Sequence, residues 1–118
     1  MISKNVDKNG TMIMTDGEAQ VMSLAASINK ESGILSVALS GNLRTDVQPY
    51  LAAELQFYAA AGIKRIEIDC GKINAIAPGC FGELLDLKIK MTKENGVISF
   101  FNKPEAITSF ENRTGKRL

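Results

Sequence analysis

The stretch from residue 63 to residue 101, IKRIEIDCGKINAIAPGCFGELLDLKIKMTKENGVISFF, carries the pattern that decides the fold. It opens with charged and apolar residues in alternation over residues 65–70, which predicts a β-strand. Apolar residues at helical spacing over Pro78–Glu94 predict a helix that ends at Asn95–Gly96. The nearly all-apolar segment 97–101 predicts a short strand buried on both faces. A strand, a helix and another strand in this order favour a parallel crossover and therefore an α/β fold.

Two apolar runs upstream of this stretch predict a β-hairpin. The runs VMSLAASI (21–28) and GILSVALSG (33–41) are joined by a short polar segment that ends in glycine. In the second run Leu35, Val37 and Leu39 alternate with residues of mixed character, so one face of this strand is apolar.

The segment NLRTDVQPYLAAELQFYAAAG (42–62) predicts the first helix. Thr45 or Asp46 stands where it can cap the helix, and Gln48 completes a capping box from Thr45. Gly62 supplies the left-handed residue that ends the helix. The side chains expected to face the core share one side of this helix: Val47, Leu51, Leu55 and Tyr58.

The remaining segments complete the element order β-β-α-β-α-β-α. Residues 102–113 predict a short last helix that starts at Pro104. Residues 1–20 are mixed and contain two glycines, so we expect a flexible lead or an added edge strand there. A single domain is then expected over residues 21–118, built on a four- to five-stranded mixed β-sheet with helices packed against it.

The composition excludes several classes of function. A formal net charge of +1 gives no bulk attraction to nucleic acid, so no nucleic-acid partner is expected. The chain has no histidine, which excludes Ser-His and Cys-His nucleophile pairs and histidine-containing metal sites. Two cysteines alone cannot complete a structural zinc site. We therefore expect a protein that is not an enzyme and that uses no metal and no cofactor.

The sequence also bears on location. No apolar run approaches the ~20 residues of a membrane-spanning helix. The first ten residues, MISKNVDKNG, lack the apolar segment of a signal peptide. We expect a cytoplasmic protein with no direct insertion into a membrane.

Three stretches resemble those of one known family. GILSVALSGNLRTD resembles its opening strand and Gly-Asn-Leu turn, and IKRIEIDCGKINAI resembles its central strand, which ends in aspartate. GCFGELLDLKIKMTKENGVISFFN resembles its switch helix and the strand that follows. The family is the STAS domain, found in anti-sigma-factor antagonists and in the cytoplasmic tails of sulfate transporters. The resemblance covers Leu24 to Leu118 and implies a STAS-type α/β fold.

The resemblance implies a switch rather than an enzyme, but this chain departs from the switch motif. In regulatory members a kinase phosphorylates a serine of an Asp-Ser-Ser-Gly stretch at the start of the second helix, which adds about 1.5–2 negative charges to a contact surface. Aligning Phe81 and Gly82 with the Leu-Gly of the family places four residues at the motif: Ala77, Pro78, Gly79 and Cys80. Gly79 then stands at the acceptor serine, and no residue from 75 to 82 has a hydroxyl. Phosphorylation at the usual position is therefore not expected.

The resemblance implies a protein partner of a bacterial regulatory system: an anti-sigma factor or GHKL-type serine kinase, or a phosphatase. The implied contact surface contains Asn42, Thr45, Asn74, Ala77, Pro78, Gly79 and Cys80, with Phe81 and Glu83 at its edge. An accessory role in a lipid-exporting ABC transporter is an alternative, with its ATPase as partner. A module that binds a small anion or nucleotide at the free N–H groups of the second helix is another. A homodimer through the edge strands is also left open.

Four residues allow a second interpretation: Cys80, Asp69, Glu67 and Asn74. Cys80, at a helix N-terminus, is either a thiol of lowered pKa or a small core side chain, whereas Cys70 fits a core position at a strand end. Asp69 and Glu67 could be taken for a catalytic carboxylate pair, but a solvated Glu67 and an Asp69 that caps the loop near the second helix are the simpler expectation. Asn74 could cap that helix from within the chain.

Overall fold

The computed structural model describes residues 1–118 as a six-stranded mixed sheet with three α-helices. The strands, numbered along the chain, are β1 (Ile2–Val6), β2 (Met12–Asp16), β3 (Ala19–Ile28), β4 (Ile34–Leu43), β5 (Arg65–Ile76) and β6 (Val97–Phe101). The helices are α1 (Gln48–Ala60), α2 (Pro78–Lys93) and α3 (Glu105–Thr114), and a 3-10 turn at Thr45–Val47 precedes α1. The predicted α/β class with a mixed sheet is confirmed.

The six strands lie side by side in the order in which they occur in the chain. Neighbours from β1 to β4 are antiparallel, whereas β4, β5 and β6 are parallel. The two parallel connections run through α1 and α2, as the strand–helix–strand pattern predicted. The predicted hairpin is β3–β4, and Gly33 closes its turn with a φ of 73°.

The sheet is larger than the predicted four to five strands because residues 1–20 contribute two strands. The element order therefore begins with four strands rather than with two. Within β2, Met12 and Met14 are buried and lie opposite Leu24 and Met22 of β3. Their thioether side chains pack in the same apolar cluster as the rest of the core. The division of the chain at residue 20 stays a prediction.

One apolar cluster joins the sheet to the helices. Leu35, Val37 and Leu39 of β4 are buried, and Ile66 and Ile68 of β5 continue the same face, as the alternation predicted. All side chains expected to turn inward on the first helix are buried: Val47, Leu51, Leu55 and Tyr58. Each large apolar side chain removed from water in this way stabilises the fold by about 1.5–3 kcal/mol.

The prediction that residues 97–101 form a strand buried on both faces is wrong. Strand β6 lies at the edge of the sheet and pairs with β5 alone. The side chains of Val97 and Phe101 are 55% and 46% exposed. A short apolar run reveals that a strand has apolar faces, but it does not reveal the strand's place in the sheet.

Strand β5 is longer than the sequence indicated, because it keeps pairing with β4 up to Ile76 through two shifts of register. Gly41 lies at one of these shifts and has a φ of 91°. A Cβ atom at residue 41 would lie 2.3 Å from the carbonyl oxygen of Val21, so only glycine fits here. The extension brings the end of β5 within one residue of α2.

The helix ends agree with the turn residues in the sequence. Gly62 follows α1 with a φ of 75°, and Asn95 follows α2 with a φ of 61°. Helix α3 begins directly after Pro104, as predicted. None of the helices has both the length and the apolar character needed to cross a membrane.

Candidate functional site

The candidate site lies where β4 and β5 end and α2 begins. The backbone N–H of Ala77 donates to the carbonyl of Leu43 over 2.8 Å, which fixes the start of α2 beside the end of β4. Ala77 is the N-cap residue, and no side chain caps this helix. The prediction that Asn74 could do so is therefore wrong. Pro78 occupies the first helical turn, where its missing N–H leaves no bond unmade.

Seven of the nine predicted contact residues have accessible side chains or backbone, and we call them the candidate surface: Asn42, Thr45, Asn74, Ala77, Pro78, Gly79 and Glu83. Asn42 pairs with Ala75 in the β4–β5 register, which brings it beside Asn74. Thr45 lies in the 3-10 turn that packs against α2. The structure therefore gathers residues from two segments of the chain, 42–45 and 74–83, at the end of the sheet where β4 and β5 terminate.

The prediction that Cys80 and Phe81 belong to the contact surface is wrong. The side chain of Cys80 is 0% exposed and that of Phe81 is 2% exposed. The Phe81 ring stacks on the ring of Phe110 in α3, with 4.4 Å between their centres. Both residues face inward because the apolar stripe of α2 begins with them. A partner cannot reach either side chain in this structure.

Cys80 is a core thiol rather than a reactive one. Its S–H donates to the carbonyl of Arg44 over 3.4 Å. Burial, and after it the negative charges of Glu83 and Asp46, raise the pKa of Cys80 to about 11. The helix N-terminus does not offset this burial, so the interpretation with a lowered pKa is wrong. Cys70 is likewise buried, as predicted, and both thiols are free.

The position aligned with the phosphorylated serine is filled by a side chain from α1. A Cβ atom at Gly79 would lie 2.0 Å from Oε1 of Gln48. The amide nitrogen of Gln48 donates to a carboxylate oxygen of Glu83 over 3.2 Å, which holds the side chain in this place. The predicted capping box between Thr45 and Gln48 is therefore wrong: α1 has no side-chain cap, and Gln48 reaches across to α2 instead.

The comparisons with known proteins agree with this architecture. The chain is similar to the crystal structure of an anti-sigma factor antagonist from Mycobacterium paratuberculosis, with a TM-score of 0.69 over 80% of this chain and 78% of that chain. The chain has the STAS fold. The two sequences are only 18% identical, so the likeness extends to the fold alone.

A second solved structure is an antisigma-factor antagonist STAS domain from Rhodobacter sphaeroides. Its TM-score is 0.49 at 15% identity, over 73% of this chain and 95% of that chain. No family model matches the chain, and no curated protein matches it. The STAS fold rests on the likeness to the Mycobacterium paratuberculosis structure and on the element order.

Arg44 connects the candidate surface of this STAS fold to the N-terminal strands. Its guanidinium binds the carboxylate of Asp46 and donates to Asp16 of β2 over 3.1 Å. The hydrogen bond from Arg44 lowers the pKa of Asp46. The pKa of Asp16 is also lowered, first by the hydrogen bond from the N-terminal ammonium of Met1 and then by Arg44. The carboxylate of Asp46 therefore pairs with Arg44 and does not cap α1.

The sequence predicted neither the contact of Arg44 with Asp16 nor that of Gln48 with Glu83. Their partners Asp16 and Glu83 lie 28 and 35 residues away along the chain. No local pattern reports a contact over such a separation, because helix and strand periodicities describe only neighbouring residues. The STAS motif aligns residue 79 with the acceptor serine, and only the packing of α1 against α2 places Gln48 beside it.

Asp69 has a structural role different from the predicted one. One of its carboxylate oxygens accepts the backbone N–H of Gly71 over 2.9 Å and the side-chain amide of Asn102 over 3.2 Å. These two hydrogen bonds, with that of Gly71 first, lower its pKa. Asp69 therefore fixes the loop after β6 rather than the loop near α2. Glu67 lies on the same open face of the sheet, two residues away.

Proposed function

We propose that this STAS domain is a non-enzymatic protein-binding module of a bacterial regulatory system, of the anti-sigma-factor-antagonist kind. It binds an anti-sigma factor or GHKL-type serine kinase through the candidate surface, and it is not phosphorylated at the usual helix start. The observation that carries the proposal is the filled acceptor position, where the Gln48 side chain occupies the space beside Gly79. The space that a phosphorylatable serine would need is thus occupied by the side-chain amide of Gln48, which is hydrogen-bonded to Glu83.

The candidate surface has the properties of a preorganised contact area. Pro78 is exposed and has a fixed φ, and the backbone of Ala77 is held by Leu43, so little conformational entropy is lost on binding. Glu83 is its only charged residue, and Gln48 already donates to it. Small, weakly charged side chains allow another backbone to approach closely.

The lack of a hydroxyl at residues 75–82 has a regulatory consequence. In a phosphorylated member the added charge and its hydration oppose binding at this surface. Residues 75–82 of this chain offer no acceptor oxygen, so a kinase partner cannot end the interaction by modifying residue 79. The interaction is then either constitutive or controlled from the partner's side.

Affinity capture from the native host tests the proposed partner class. The wild-type chain, a Pro78→Glu variant and a Phe57→Glu control are used as bait, and captured proteins are identified by mass spectrometry. Phe57 is an exposed apolar residue of α1, outside the candidate surface. We expect an anti-sigma factor or GHKL-type kinase with the wild type and the control, and at least a tenfold (~1.4 kcal/mol) weaker capture with Pro78→Glu. Capture of an ABC-transporter ATPase instead, or equal capture by all three baits, would contradict the proposal.

Incubation with the captured kinase and ATP tests the missing modification. We expect no phosphate on the peptide that contains residues 75–82, because it has no acceptor oxygen. A Gln48→Ala/Gly79→Ser variant restores a hydroxyl and removes the side chain that fills the space. Phosphate on this double variant, but not on the wild type, supports a binding mode like that of a phosphorylated member. Loss of wild-type binding after kinase treatment would overturn the proposal that phosphorylation does not control this surface.

A further inference from the structure

Strand β6 is an unprotected edge of the sheet. It pairs with β5 on one side only, and its five residues, VISFF, include no charge and no proline. Natural sheet edges are usually blocked by such residues, because unpaired N–H and C=O groups can otherwise pair with another chain. The opposite edge strand, β1, does carry Lys4.

The hydrogen bonds of β6 show which of its backbone groups are free. The N–H of Val97 donates to the carbonyl of Lys64 over 2.8 Å, so the backbone of Val97 points toward β5. Successive residues of a strand point their backbone groups in opposite directions. Ser99 and Phe101 therefore also point toward β5, and the N–H and C=O groups of Ile98 and Phe100 point outward.

We propose that β6 pairs antiparallel with β6 of a second copy of this chain, around a two-fold axis at Ser99. In this register Ile98 lies opposite Phe100 of the other copy, and the two residues exchange both of their backbone hydrogen bonds. By symmetry, Phe100 of the first copy and Ile98 of the second copy exchange two further backbone hydrogen bonds. All outward-pointing backbone groups of Ile98 and Phe100 are then satisfied, which a register shifted by two residues does not achieve.

The exposed side chains of β6 match in the same register. Val97 lies opposite Phe101 of the second copy, and Phe101 lies opposite its Val97. These are the two exposed apolar side chains of the strand. Both fall at non-hydrogen-bonded pairs, where facing side chains are closest, and apolar cross-strand pairs of this kind are stabilising.

Two properties of the chain favour a second copy as the occupant. The formal net charge of +1 gives little repulsion between copies. The self-complementary register closes at two subunits, as in the two-fold interfaces of most homodimers. Pairing of β6 with the β1 edge of another copy would instead continue without closing and would produce longer assemblies.

Sedimentation equilibrium with paired variants tests the register. In Val97→Glu/Phe101→Lys, opposite charges face each other across the axis, and each new charge also lies beside an opposite charge on β5, at Arg65 or Asp69. In Val97→Lys/Phe101→Lys, like charges face each other. We expect a wild-type dimer and a dissociation constant about tenfold or more higher for the Lys/Lys variant than for the Glu/Lys variant. Phe57→Lys, on α1, should dimerise like the wild type.

A disulfide trap gives an independent readout. Ser99 would face Ser99 of the second copy with the Cα atoms about 4.5 Å apart, within the range that a disulfide bridges. We expect Ser99→Cys to form a covalent dimer under mild oxidation, whereas Ser36→Cys on the central strand β4 should not. A monomer at every concentration without a Ser99→Cys dimer would overturn the proposal. A dimer whose dissociation constant is unchanged in the Lys/Lys variant would also overturn it, as would a series of assemblies larger than a dimer. None of these outcomes depends on the Pro78 capture experiment, so the two proposals fail separately.

Discussion

The side chain of Gln48 occupies the space that any side chain at residue 79 would need. A Cβ atom there would lie 2.0 Å from Oε1 of Gln48 and 2.6 Å from its Cδ. Two helices that are adjacent along the sheet thus meet at a glycine, and the hydrogen bond from Gln48 to Glu83 keeps the arrangement in place. The absence of a side chain at residue 79 is therefore part of how α1 and α2 pack.

A double-mutant cycle measures this coupling. Residue 79 has helical backbone geometry, so replacing its glycine by alanine without a steric conflict would raise the free energy of unfolding by about 0.4–1 kcal/mol, because alanine lowers the entropy of the unfolded chain. In the wild-type background we expect that gain to be offset by about 1 kcal/mol, because Gln48 must move and lose its bond to Glu83. In the Gln48→Ala background the gain should appear in full. Urea unfolding of the four chains gives the coupling.

Gly82→Ala is the matched control for this cycle. Residue 82 is on the same helix, and no atom lies within 4 Å of its added Cβ. We expect the same stabilisation by Gly82→Ala with and without Gln48. Equal effects of Gly79→Ala in both backgrounds would contradict the packing described here.

The two cysteines should resist thiol reagents in the folded protein. Both thiols are buried, and burial raises the pKa of Cys70 and of Cys80 to about 11. Since the thiolate is the reactive form, we expect labelling at pH 8 only through opening of the structure, and complete labelling of both thiols in denaturant. Colorimetric thiol titration with and without urea measures this. Rapid labelling of Cys80 in the native protein would restore the reactive interpretation.

A buried carboxylate in α3 should make stability depend on pH. Glu111 is 2% exposed, accepts the N–H of Leu118 over 2.8 Å and pairs with Lys103 over 3.0 Å. Burial is the largest single influence and raises its pKa, but the bonds from Leu118 and Lys103 and the positive charges of Lys103 and Arg117 together outweigh it, and the net pKa is lowered from 4.5. A lowered folded-state pKa gives stability that is present above about pH 4.5 and is lost as the pH falls through the folded-state value.

The variant Glu111→Gln distinguishes the contribution of Glu111 to the pH dependence of stability from the contributions of the other carboxylates. We expect a loss of about 1–2 kcal/mol at pH 7, because Lys103 loses its charged partner but stays partly hydrated. The variant should also lose stability less steeply than the wild type below pH 4.5. Glu105→Gln, exposed on the same helix, is the control and should follow the wild type. Thermal unfolding between pH 3 and pH 7 gives both slopes, and parallel curves for wild type and Glu111→Gln would contradict the assignment.

The N-terminal strands should contribute to global stability. Met14 of β2 is fully buried against the sheet core. We expect Met14→Ala to lower the free energy of unfolding by about 2–5 kcal/mol, in a single transition. Val6→Ala, on the exposed edge strand β1, should change it by less than about 0.5 kcal/mol. A Met14→Ala variant as stable as the wild type would mean that residues 1–20 are not integral to the domain.

The elements that the sequence predicted well are those whose pattern is local. The alternation in β4 and β5, the apolar stripe of α1 and the glycine and asparagine that end the helices each lie within a few residues of one another. The residue types missing at 75–82 were also readable directly, since a hydroxyl is either present or absent.

The predictions that were wrong depended on contacts between distant segments. The apolar sequence of β6 predicted a buried strand. The order of strands in the sheet shows that β6 is an edge strand. The sequence predicted that Thr45, Asp46 and Gln48 cap α1. In the structure Asp46 instead accepts a hydrogen bond from Arg44, and Gln48 donates one to Glu83. The position of Cys80 at a helix start allowed a thiol of lowered pKa. In the structure the orientation of α2 places this side chain in the core.

By itself the sequence determined the α/β class, the parallel crossovers and the loss of the acceptor hydroxyl, because backbone periodicity and side-chain chemistry are properties of neighbouring residues. Only the tertiary structure decided that Gln48 fills the space at Gly79 and that β6 is left unpaired on one side. Such relations arise when segments far apart in the chain compete for the same space and the same hydrogen-bond partners, and no local pattern records the outcome of that competition.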